Sequence, residues 1–233
     1  MLRRLLILAT TLLLLVCVLG GCAVKPLEYN INFKDGETFT YKNLSSVDGT
    51  ALGDITYTYT KEGDLWLIEG MYTNADGGVQ YGVYVNDTLQ PTQSWKIGHP
   101  KDTTVQLPWH YKGTYKGNTL DIEAVTDSGT KASTISINGR WLDVECIAMA
   151  MRGFDLKEGF SGTFYLVNVE SVSTLEASAD VTAEEYKNGV ECYHLELRTV
   201  AVVPAPLMDV WYSADEEKRP IAIEQRSSTF VLQ

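Results

Sequence analysis

In the stretch VECYHLEL, residues 190–197, Cys192, His194 and Glu196 alternate. On an extended chain alternate side chains share a face. A thiol, an imidazole and a carboxylate so placed are metal-ligand types, and an imidazole beside a carboxylate is also a proton carrier. Nothing else at metal spacing joins them, so the face is expected to be solvated, with His194 beside Glu196 and no metal. The other histidines, His99 and His110, lie on separate segments, and the chain has no HExxH, GxSxG or Walker-type loop. The run Asp215, Glu216, Glu217 lacks the alternating oxygen ligands and glycine of an EF-hand loop and is expected to be a turn. These absences point to a non-catalytic protein without a cofactor.

Aromatic and thioether side chains are the richer resource. The chain carries 5 tryptophans and 13 tyrosines, enough to fill a β core and still line an apolar cavity or stack on sugars. Trp141, Ile147, Met149 and Met151 fall in one segment, GRWLDVECIAMAMRGF, whose good helix formers between Gly139 and Gly153 predict a substantial apolar helix over 141–152. Such a helix must be covered on more than one side. Trp109 and Tyr111 share a strand face, whereas Trp211 and Tyr212 must face opposite sides.

The elements available to position these residues are mostly strands. Ile55, Tyr57 and Tyr59 alternate with threonines, break at Glu62–Asp64 and resume at Leu65–Tyr72, as a hairpin does. Comparable runs are expected at 79–85, 103–111, 119–125, 131–137, 162–172, 190–203, 207–212 and 221–232. That spacing is of antiparallel meanders, and an antiparallel sheet of so many strands tends to curl or close. The expected fold is mainly β: one strongly curved antiparallel sheet, a half-barrel or barrel, wrapped around the 141–152 helix.

The N-terminus carries a different chemistry. Arg3 and Arg4 precede an apolar run, Leu5–Leu19, too short for a stable span, and Leu19, Gly20, Gly21 and Cys22 resemble the lipobox of bacterial lipoproteins. That resemblance implies a signal peptide at 1–21, lipidation of Cys22, a tether at 22–28 and a single β-rich domain at 29–233. The protein would then be exported and held by acyl chains at the outer face of the cytoplasmic membrane, or at the outer membrane facing the periplasm. Removing residues 1–21 takes two arginines away, so 17 basic residues remain against 30 acidic and the net charge falls from −11 to −13. Such a charge argues against nucleic acid as a partner. Cys17 leaves with the signal, and Cys146 and Cys192 form an even pair in an exported chain, where a disulfide between them is permitted.

The segments YGVYVNDTLQPTQSWK (81–96) and MDVWYSADEEKRPIAIEQ (208–225) both run from an alternating strand through an acidic turn to a proline and another strand. Together with NGVECYHLEL (188–197) they resemble a family of exported bacterial β-rich domains whose architecture looks like the half-barrels of the lipoprotein carriers LolA and LolB. A curved sheet and Met-rich helix of this kind would enclose a groove for a lipid, an acylated protein or another apolar ligand, lined by Trp141, Ile147, Met149 and Met151 because methionine is unbranched and adapts to irregular partners, with Trp109 and Tyr111 as further contacts. Two other functions are compatible with the sequence. One is a structural or assembly factor that pairs its sheet with an envelope protein; the other is a carbohydrate-binding module displaying Trp95, Trp109 and Tyr111.

Overall fold

The computed structural model describes residues 27–101, 109–137 and 139–233. The segment expected to be a signal peptide and lipobox, residues 1–22, lies outside the described residues. Fifteen strands follow one another: β1 (Thr38–Ser45), β2 (Ala51–Glu62), β3 (Leu65–Asn74), β4 (Gly77–Val85), β5 (Pro91–Pro100), β6 (Trp109–Lys116), β7 (Thr119–Thr126) and β8 (Gly129–Ser136), then β9 (Trp141–Asp143), and after a short helix β10 (Ser161–Asn168), β11 (Ser173–Lys187), β12 (Val190–Thr199), β13 (Pro206–Ser213), β14 (Pro220–Gln225) and β15 (Ser228–Leu232). The helix, α1, is Ile147–Met151. No helix among the described residues is long and apolar enough to cross a membrane.

All fifteen strands form one sheet, in the order β8-β7-β6-β5-β4-β3-β2-β1-β15-β14-β13-β12-β11-β10-β9. The C-terminal strand β15 pairs with β1, Tyr41 opposite Leu232, so both halves of the meander join in the middle of the sheet. The alternation seen in the sequence sets the faces. Phe39, Tyr41, Ile55, Tyr57 and Tyr59 are buried on the concave side, while Thr40 and Thr56 meet on the other face, hydroxyl to hydroxyl at 3.1 Å.

The sheet curls but its edges are not joined by hydrogen bonds. Strand β9 lies against β5, so β1–β5 and β9–β15 make a barrel-like wall and β6–β8 continue past the seam. Tyr115, Leu120 and Ile122 of this overhang then cover Trp141 and Val167 on the outer side of β9 and β10, forming a second apolar cluster. Lys96 of β5 ties the seam, bridging Glu145 and Glu170 at 2.7 Å each.

Two expectations need correction. The substantial helix over 141–152 is not formed. Trp141–Asp143 instead add a strand to the open edge of β10, and this pairing is parallel, Trp141 opposite Tyr165, in an otherwise antiparallel sheet. The ladder satisfies backbone groups that a helix would have satisfied internally, and α1 keeps five residues, all buried. The second correction concerns 221–232, which is two strands, with a turn at 226–227. The longest strand, β11, carries little strand signal of its own, because STLEASADVTAEEYK has few apolar residues.

Candidate functional site

The concave side of the wall is filled. From β9 the chain passes through Cys146, α1 and Gly153 along the inside, beginning beside the 169–172 turn and ending beside the 214–219 turn. Met149 and Met151 are fully buried, as are Leu195, Val210 and Phe164 around them. A five-residue helix leaves most of its carbonyls without intrahelical partners, and the strands supply them. The Tyr59 hydroxyl donates to the Met149 carbonyl at 2.9 Å and the Tyr212 hydroxyl to that of Ala148 at 2.6 Å. Burial pushes both phenols well above their ordinary pKa, so they remain donors. Gly153 fits where a Cβ would stand 2.8 Å from a Leu89 methyl carbon.

Arg152 closes this passage at one end. Its side chain is 0% exposed, its guanidinium holds both Glu37 carboxylate oxygens at 2.6 and 3.2 Å, and Nε donates to the Glu217 carbonyl at 2.9 Å. Phe33, Phe39 and Tyr59 surround it, with ring centroids 5.0 to 5.7 Å from the guanidinium carbon. The acidic run expected as a turn is one, but it also forms the outer wall of this plug. Asp215 accepts from the Ser213 hydroxyl at 2.7 Å, and Lys34 reaches Glu217 at 2.6 Å.

The opposite end carries the turns at 46–50, 169–172, 200–205 and 226–227. Of the large apolar side chains exposed among the described residues, Val47, Leu52, Met71, Leu175, Val200, Val202 and Val203 all lie at or near this end, and only Tyr186 lies at the plugged one. At this end opens a cavity of about 430 Å³ lined by Ile147, Leu166, Leu175, Leu197, Leu207 and Met208, with Glu145 and Asn168 as polar members of its wall. A second hollow of about 480 Å³ continues from it along Leu207, Met208 and Gln225.

The expected site residues are therefore dispersed. Ile147, Met149 and Met151 belong to the main core, Ile147 alone reaching the cavity. Trp141 sits in the separate cluster beneath the overhang, with its ring stacked on Tyr115. Trp109 and Tyr111 share a face of β6, 5.5 Å apart, and Trp109 lies flat on Gly98. Trp211 and Tyr212 do face opposite sides, outer cluster and inner core. The disulfide is not formed. Cys146 and Cys192 are buried free thiols on opposite faces of the sheet, Cys146 against the Ile68 carbonyl and Cys192 beside Trp211 and Ile221.

No family model matches this chain, and no curated protein does. A solved structure shares its architecture. It is the β-barrel-like protein of the domain of unknown function DUF1849 from Brucella abortus, at 7% identity and a TM-score of 0.50 over 89% of this chain and 98% of that one. The likeness is one of fold: a barrel-like β domain.

Two polar arrangements on the sheet complete the inventory. Asp143, buried at the seam, accepts from the Glu145 amide at 3.0 Å, and burial pushes its carboxyl up to about 7. On the outer face, ligand atoms of His194, Glu196 and Asp209 lie within 4.8 Å of one another. Neither Asp209 beside His194 nor Leu207 and Met208 at the cavity was singled out from sequence. Their neighbours are set by cross-strand register, which a single strand's pattern does not contain.

Proposed function

We propose that this protein is a non-catalytic, lipid-anchored protein of the bacterial envelope that captures an acyl chain or similar apolar group at the open end of its sheet. The observation that carries the reading is the gathering of Val47, Leu175, Val200, Val202 and Val203 at one end of the sheet, where a cavity lined in large part by Ile147, Leu166, Leu175 and Met208 opens. Exposed apolar groups gathered at one place, as opposed to scattered singly, mark interaction sites. Met149 and Met151 are buried in the core, which supports a binding surface at the mouth over a groove along them.

The anchor fits this arrangement. Leu27 lies beside Phe160 and Ser161, away from the open end, so a tether from Cys22 of at most about 18 Å holds the plugged side near the membrane and turns the apolar mouth away from it. The net negative charge of the anchored form, −13 without residues 1–21, suits a neutral or cationic amphiphile better than an anionic headgroup.

A photoreactive fatty alcohol offered to the full chain in nanodiscs tests the proposal. Adducts should concentrate in peptides containing Leu175, 200–205 and Leu207–Met208; adducts spread in proportion to exposed surface would remove the support for the site. A second reading, an assembly factor, is favoured by β8, an eight-residue edge strand exposed along most of its length. Adducts absent from the mouth, together with a protein cross-linked along 129–136, would favour it.

A further inference from the structure

Across the outer face of β11–β14 four carboxylates stand in direct register: Asp180 opposite Glu196, Glu196 opposite Asp209, Asp209 opposite Glu224. Like charges directly opposite destabilise an antiparallel ladder, so this row calls for cations. Two are present at its flanks. Arg198 holds one oxygen of Glu196, with Nε at 2.7 Å, and Lys187 holds Glu224 at 2.6 Å. Asp180 accepts from the Ser161 hydroxyl at 2.6 Å. Asp209, in the middle, has no lysine or arginine partner within salt-bridge distance among the described residues, and the second oxygen of Glu196 takes only a 3.3 Å bond from the Thr182 hydroxyl.

His194 faces this gap from β12. Its Nε2 is 3.0 Å from Asp209 Oδ1 and its Nδ1 is 3.4 Å from Glu185 Oε1. The ring stacks on Trp211 at 4.4 Å, and the Trp211 indole N–H itself donates to Glu185 at 2.6 Å. The imidazole thus has a carboxylate within ion-pair distance behind it and an indole stacked on one side, with its other nitrogen within hydrogen-bond distance of Asp209 in the row. A carboxylate beside the far nitrogen is a common companion of a metal-binding histidine, because it favours the tautomer that leaves the near nitrogen's lone pair free.

We propose that His194 Nε2, Asp209 and the Glu196 oxygen not held by Arg198 bind one divalent transition metal ion, with Glu185 as the orienting carboxylate. One nitrogen and two oxygen donors suit Zn²⁺ or Mn²⁺ better than Ca²⁺, which takes oxygen ligands alone. Two carboxylates neutralise the ion, and three protein ligands leave coordination open for water or a donor from a partner. The site lies on the outer face, where its ligand Asp209 also borders the second hollow beside Leu207 and Met208.

The test is a Zn²⁺ titration of the full chain against a chromophoric chelator, with histidine ring nitrogens followed by NMR in the same samples. One equivalent should bind and move the His194 Nε2 resonance. His194→Gln and Asp209→Asn should each weaken binding about tenfold or more, and Glu185→Gln should weaken it less. His99→Gln and His110→Gln should leave binding unchanged. The absence of stoichiometric uptake, or uptake that leaves the wild-type His194 ring unmoved, would overturn the proposal even if a variant failed to fold.

Discussion

The two ends of the barrel-like wall are finished in opposite ways. At one, a buried arginine is matched by a bidentate carboxylate, a backbone carbonyl and three aromatic rings. At the other, valines and leucines face solvent around a hollow. The polar end is the well-satisfied one, and the apolar end is the one left open. A buried charge persists only when paired, so the plugged end has the marks of a structural closure. Exposed apolar groups contribute nothing to the fold where they stand, so the open end has the marks of a surface kept for something else.

Substitutions that separate the ends sharpen this contrast. The largest effect belongs to the filled interior: Met149→Asp places a carboxylate among apolar neighbours with no counter-charge, and loss of the cooperative unfolding transition is expected by circular dichroism. Glu37→Ala follows. It strands the buried guanidinium and should cost about 3–5 kcal/mol in urea unfolding, whereas Arg152→Met, which removes the charge itself, should cost less. Tyr212→Phe leaves the Ala148 carbonyl unpaired and should cost about 1–3 kcal/mol.

At the seam the effect depends on pH. The Asp143 carboxyl is raised in the folded state to about 7, above its ordinary value of 3.8. The folded protein therefore holds this proton where the unfolded chain has lost it. Stability from this group is complete below about pH 4 and is lost as pH rises toward 7. Asp143→Asn should flatten that slope in urea midpoints measured from pH 4 to 8. The smallest change in stability, within about 0.5 kcal/mol, is expected at the open end for Val202→Asp combined with Val203→Asp, since both side chains are exposed.

How far the sequence discloses this molecule varies along it. The Tyr/Ile–Thr alternation in β2 sets its faces without ambiguity, because burial on one side of a sheet imposes period two. The opposite directions of Trp211 and Tyr212 follow from the same rule. The segment at 141–152 misleads because Ala and Met favour a helix locally, while the open edge of β10 takes Trp141–Asp143 as a strand. Strand β11 escapes notice because its pairing with β10 and β12, and not its own composition, makes it a strand. Arg152 with Glu37 and the carboxylate row through Glu196 and Asp209 depend on register between residues far apart in the chain, which one sequence does not reveal.

Native mass spectrometry of the gently purified chain, beside the Val202→Asp/Val203→Asp/Leu175→Asp variant, tests the division of labour between the ends most directly. A discrete added mass of lipid size on the wild type, absent from an equally folded variant, is the expected result. A bare wild-type mass that persists after incubation with envelope lipids would contradict it.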